Sequence, residues 1–360
     1  ANTYNGATTV SNGTLVAGTA FVISPNSALT VVSGATFTNN FQQAVGSIAG
    51  AGNIILGASG ALSNGFANTS TAFSGNITGS GTLAKYGSGV LTLSGINSYS
   101  NTVVEAGTMK LNSATAYPGT ALIVNGGIFD QNGNSITVTT LNGTGGTITN
   151  AGLTVNNGGS YAGVVAGTGA LTNNGGFLTL SGNNTYSGGT VVQTGTLKLN
   201  SANAFPDSTA LRVNGGFFDQ NGNAITVTTL NGTGGTITNA GLTVNNGGSY
   251  AGVIAGTGAL VNDGGTLILS GANTFSGGAT VSSGVLRAIS NSALGSDTAT
   301  VTAGAALQLS NGVTVANNLN LNGSGLANNG ALRSVTGNNT YAGIISLLGD
   351  SRINADANLL

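Results

Sequence analysis

The chain has 360 residues, 63 of them glycine, with seven basic and eight acidic side chains and a net charge of −1. Charged residues make up 4% of the total, against roughly a quarter in ordinary soluble domains, and histidine, cysteine and tryptophan are absent. This excludes a basic nucleic-acid-binding stripe, disulfide or thiol chemistry and a His/Cys zinc site; a hydrophobic content of 40% excludes charge-rich disorder.

Taken in order, the chain repeats itself. ANTYNGATTVSNGTLVAG opens at Ala1, and LTLSGINSYSNTVVEAGTMKLN follows at Leu91. TLSGNNTYSGGTVVQTGTLKLN runs from Thr179, and LILSGANTFSGGATVSSGVLRAI from Leu267. The motif aromatics Tyr4, Tyr99, Tyr186 and Phe275 are spaced by 95, 87 and 89 residues. A second series, Phe73, Tyr161, Tyr250 and Tyr341, interleaves with the first without exception. Four tandem units of about 90 residues follow, near 1–95, 96–182, 183–271 and 272–360. The stretch from Asp130 to Leu171 recurs at Asp219, changed only at Ser135/Ala224 and Val165/Ile254. About four residues are missing between Leu360 and Ala1 if the pattern is closed on itself, so the segment is expected to be a window from a longer array.

Leu91-Thr92-Leu93, Ile136-Thr137-Val138 and Leu197-Lys198-Leu199 alternate with a period of two, which is strand periodicity. NGG, NNGG, GTG and SG separate such runs and supply the positive-φ positions that Gly and Asn take cheaply. No apolar run reaches the length of a membrane-spanning helix. Near-identical neighbours fit a β-solenoid, in which each coil touches only the coils beside it. Coils of roughly 20 to 24 residues predict about 16 coils and a rod near 75–80 Å. The pairs Leu91/Leu93, Met109/Leu111, Leu178/Leu180, Leu197/Leu199 and Leu267/Leu269 are expected to face inward, with Asn156, Asn157, Asn183 and Asn184 in amide ladders at the turns.

GFLTLSGNNTYSGGTVVQTGTL, Gly176 to Leu197, resembles the autotransporter-associated β-strand repeat of bacterial type V secreted proteins. The segment from Ala331, ALRSVTGNNTYAGIISLLGDSRINADA, is similar to a companion pattern of the same proteins. The resemblance touches all four units. It implies a right-handed parallel β-helix carried outside the cell or on the bacterial surface. The segment itself is expected to hold neither the export signal nor the translocator barrel of such proteins.

Chemistry is sparse. The acids Glu105, Asp130, Asp207, Asp219, Asp263, Asp297, Asp350 and Asp356 are scattered, and no Ser or Thr has an activating base in view. No catalytic, cofactor-binding or metal-ligating residues are expected, and the chain is read as a non-enzyme. DQNGN at Asp130 and Asp219 places oxygens like the start of a calcium loop, but it lacks further carboxylates and a closing Glu. A tight turn is the favoured reading, with Gly133 and Gly222 at positive φ. Lys110, Lys198 and Arg287 are expected as a sparse outer row that deters lateral strand pairing. The motif aromatics read as stacked core or turn residues, with carbohydrate platforms as the alternative.

The expected function is therefore a structural or adhesive extracellular rod or filament. A glycan- or surface-binding passenger is the alternative, and a polysaccharide-active β-helix enzyme a more distant one. Expected partners are further copies of the chain, or its continuation, and surface glycans. Nucleic acid and membrane insertion of this segment are not expected.

Overall fold

The computed structural model describes residues 2–356. The chain termini, where the in-phase ends were expected to meet, lie outside the described residues. Two compact units are present, one formed by 1–171 with 180–187 and the other by 172–179 with 188–360.

The first unit is a stack of three-sided coils. Its chain runs Ala28–Val31 on one face, Thr36–Asn39 on the second and Gln42–Val45 on the third, then returns to the first face at Ser47–Gly50. Every pairing between these coils is parallel, as in Ala28↔Ser47, Thr36↔Asn53 and Gln42↔Ala61. Alternate side chains point inward, and their columns form the core. One column runs Leu91, Met109, Phe129, Ile148 and Val165 through four successive pairings, each member no more than 1% exposed.

The second unit repeats the scheme. Leu197, Phe218, Ile237 and Ile254 form a fully buried column. Its strands Ile225–Gly232, Leu260–Leu269 and Ala279–Ala288 run on around a corner and pair on two faces. Among the described residues helical structure is limited to the single 3-10 turns Ala114–Ala116, Ala202–Ala204 and Leu326–Asn328. The inward Leu pairs named from sequence are all buried.

The fold is thus an all-β parallel β-solenoid, with about 18 turns rather than 16. The difference lies in the corners. Paired residues such as Thr36↔Asn53 and Thr147↔Val164 are 17 positions apart, shorter than any coil expected. Only Gly46 separates the strand ending at Val45 from the one starting at Ser47. Corners this tight require glycine where coils touch. A Cβ on Gly95 would sit 1.9 Å from the Gly75 carbonyl oxygen, and one on Gly271 would sit 1.8 Å from that of Gly252. These are the glycines of the LSG steps.

Candidate functional site

The repeated junction holds coils together. Asn97, Asn184 and Asn273 of the Asn-Thr-Tyr-type motifs lie inside corners, where backbone groups would otherwise be orphaned. Asn97 Oδ1 accepts from the Ile77 N–H at 2.8 Å, and its Nδ2 donates to the Ala116 carbonyl at 2.7 Å. Asn273 makes the same pair of bonds, from Ile254 N–H at 2.8 Å and to the Ala293 carbonyl at 2.7 Å. Asn184, expected in an amide ladder, has a backbone partner, accepting from the Val165 N–H at 2.8 Å. One side chain thereby links three consecutive coils.

Six of the eight marker aromatics belong to the core, whereas Tyr341 is half-buried. Tyr99, Tyr186, Phe275, Phe73, Tyr161 and Tyr250 are at most 1% exposed, which removes them as carbohydrate platforms; Tyr4 is exposed at 40%. Tyr161 and Tyr250 hydroxyls donate to the Gly146 and Gly235 carbonyls at 3.2 and 3.1 Å. Burial pushes the hydroxyl pKa of Tyr99, Tyr161 and Tyr250 well above the ordinary tyrosine range.

The DQNGN segments are turns. Asp130 Oδ1 accepts from Asn132 N–H at 2.8 Å, and Asp219 Oδ1 from Asn221 N–H at 2.9 Å. Asn132 and Asn221 join Gly133 and Gly222 at positive φ. Asn134 and Asn223 direct their amide nitrogens, not their oxygens, at the turn carbonyls. Asp130 is also the cross-strand partner of Lys110, with Oδ2 3.9 Å from Nζ. Lys198 and Asp219 occupy the same register, and Arg287 binds Gln308 Oε1 through Nε (3.0 Å) and Nη2 (2.7 Å). Lys110 and Lys198 therefore lie on coils adjoining the acidic turns, whereas Arg287 has Ile268 and Gln308 as its cross-strand neighbours. Among the described residues no cluster of three or more His, Cys, Asp or Glu could hold a metal.

Sequence reasoning overlooked Lys85. It is 1% exposed, and its Nζ donates to the carbonyls of Tyr86, Gly87 (2.9 Å) and Ala106 (3.3 Å). Desolvation lowers its pKa below the ordinary lysine value. The aligned residues in later units, Asn173 and Asn262, also donate from the corner to the next coil, at 3.1 Å to Thr194 O and 2.9 Å to Ser283 O. Lys85 is a longer arm in the same position.

Two of the open grooves among the described residues are candidate binding surfaces. In the second unit, a groove of about 490 Å³ runs over Thr190, Leu211, Arg212, Asn231 and Ser249. Arg212 is held beside it by Asn214, to whose Oδ1 its Nε donates at 3.1 Å, and Asn214 Nδ2 donates in turn to Gln193 Oε1 at 2.8 Å. In the first unit, another groove of about 490 Å³ is bounded by Phe21, Phe66, Tyr86 and Glu105. The Phe66 and Tyr86 rings stack with centroids 5.2 Å apart and an interplanar angle of 17°. Phe21, Phe66 and Tyr86 were not singled out from sequence. The available signal was a break in the repeat, since Tyr86 aligns with Asn174 and Asp263 in later units.

The passenger-associated-transport-repeat family matches residues 1–17, 83–111, 172–199 and 262–288, one stretch at each Asn-Thr-Tyr-type junction. The "Adhesin BmaC autotransporter" of Brucella suis biovar 1 (strain 1330) is 36% identical over 162 residues, covering 41% of this chain and 5% of that protein. The chain thus spans about a twentieth of the length of that curated relative. No solved structure matches. Matches at all four junctions, on a stack of parallel coils, make this chain a β-solenoid carrying passenger-associated transport repeats.

Proposed function

We propose that the chain is a structural and adhesive segment of a secreted or surface-displayed bacterial passenger protein, with no catalytic role. The observation that carries this reading is the use of the motif side chains. Asn97 and Asn273 are consumed in bonds between coils, and Tyr99, Tyr186 and Phe275 fill the core. A chain whose buried junction asparagines hold backbone to backbone builds a scaffold, leaving lateral faces free for contact. Similarity to an adhesin supports adhesion as the purpose of those faces. The exposed aromatic groove of the first unit favours glycan contact over a purely structural role.

The test is display of the 360-residue chain on a non-adherent bacterium, with attachment to epithelial monolayers counted against an empty display vector. Increased attachment is expected. Attachment at the vector level would defeat the adhesive reading. Release of reducing ends from polysaccharides by the purified chain would defeat the non-catalytic one.

A further inference from the structure

We propose that the groove of the first unit is a binding site for a short, uncharged oligosaccharide. This rests on the reading of the chain as an adhesive surface segment, and it specifies the ligand class of that surface.

The floor is flat and narrow. Ala44, Ser63 and Ala84 stack in register on three successive strands of one sheet, so no large side chain rises from the centre. The walls are aromatic. Phe66 lies against Tyr86, and Phe66 and Phe21 are 40% and 43% exposed. The C–H bonds of a pyranose ring carry partial positive charge and pack on the negative face of such rings.

Phe21 is held open at a conformational cost. Its φ is 55°, in the left-handed region where a bulky side chain is strained. Three interactions with the next coil enforce this. The Phe21 N–H donates to the Gln42 carbonyl at 2.9 Å. The buried Gln43 side chain accepts from Val22 N–H at 2.9 Å and donates to the Thr19 carbonyl at 2.6 Å. An aromatic fixed outward in a strained conformation is a prepared contact, since strain persists only where surrounding structure enforces it. The Tyr86 corner is fixed from below by Lys85, and Gly65 is required there, because a Cβ would sit 1.9 Å from the Tyr86 carbonyl oxygen.

The polar groups suit hydroxyls without charge. Glu105 is the single charged residue lining the groove, and its Oε1 already accepts from Asn125 Nδ2 at 2.9 Å. A carboxylate can accept from a ligand hydroxyl as well, and its charge repels uronate, sialate or sulfate. The volume of about 490 Å³ falls within the range of small-ligand sites. The four strands beneath it span about 14 Å at their usual spacing, enough for a few linked pyranose rings. An aromatic peptide segment is the competing occupant; the flat floor and the hydroxyl-binding rim favour the sugar.

The experiment uses calorimetry on the whole chain with neutral linear hexose and N-acetylhexosamine oligosaccharides, and with sialylated and sulfated ones. Phe66→Ala, Phe21→Gly and the control Lys198→Ala are compared with the parent. The expected result is binding of neutral oligosaccharides, weakened about tenfold or more by Phe66→Ala and unchanged in Lys198→Ala. Phe21→Gly is expected to weaken binding while melting no lower than the parent, because glycine relieves the left-handed strain; a packing role would lower both. Preference for the acidic sugars, parental affinity in both aromatic variants, or binding only of an aromatic-rich peptide would overturn the proposal. If displayed Phe21→Gly/Phe66→Ala cells attach as well as the parent, the groove assignment fails and adhesion stands. If neutral sugars bind the groove but parental cells do not attach, adhesion fails and the groove stands.

Discussion

Replacing Asn273 with alanine tests whether the junction asparagine holds three coils together. Asn273 is 3% exposed and bonds the Ile254 N–H below and the Ala293 carbonyl above. Alanine leaves one buried donor and one buried acceptor without partners. Each orphan costs about 1–3 kcal/mol, so the pair is worth roughly 2–5 kcal/mol after partial rehydration. A solenoid opens locally, so a single global unfolding energy is a poor reporter. Amide hydrogen exchange at Ile254 reads the local effect. The loss corresponds to exchange faster by roughly 30-fold to a few thousand-fold. Asn273→Asp retains the acceptor but loses the donor and brings a charge into the corner, so it is expected to be at least as damaging. Unchanged Ile254 exchange in Asn273→Ala, with a melting curve overlaying the parent, would refute the idea that the motif asparagine is a clamp.

Gly271→Ala places a Cβ 1.8 Å from the Gly252 carbonyl, so a loss above about 2 kcal/mol is expected in chemical denaturation. Lys85→Met removes the donor to the Gly87 and Ala106 carbonyls and is expected to cost about 1–3 kcal/mol; Lys85→Asn, the residue found at the aligned positions 173 and 262, should cost less. Burial raises the pKa of Tyr99, Tyr161 and Tyr250 in the fold, so above the ordinary value of about 10 the unfolded chain releases protons that the folded chain retains. Stability is therefore full below that pH and falls as pH rises through the window, and Tyr99→Phe should flatten the decline in melting temperature. Millimolar calcium is expected to leave the melting temperature unchanged, because Asp130 and Asp219 are occupied by turn N–H groups.

Much of the fold was legible in the sequence because a strand period of two and a unit period near 90 are both local patterns. Leu91/Leu93 and Leu197/Leu199 could be assigned inward from alternation alone, and the Asp130 turn from its Asn and Gly. Coil length was not legible, since it depends on how few residues close a corner, and Gly46 alone closes one. The pairing of Lys110 with Asp130 was missed for the same reason, because it is set by register between coils. Lys85 was hidden by its charge, as lysine is almost never fully buried without partners, and its partners are carbonyls that no sequence pattern marks. The groove was hidden because Phe21, Phe66 and Tyr86 come from different coils and meet only once the coils are stacked.

The clamp at each junction also bears on how such a chain changes over generations. Asn97 bonds residues 20 positions before it and 19 after it. Asn273 does the same at 19 and 20. Neither reaches as far as the next copy of itself. Unequal recombination between the near-identical tracts beginning at Asp130 and Asp219 would delete or duplicate one whole unit. Each surviving asparagine would still find its own two partners. Length is then a quantity that this architecture can vary by whole units without a new folding problem, while the aromatic groove, written once into the first unit, keeps its copy number.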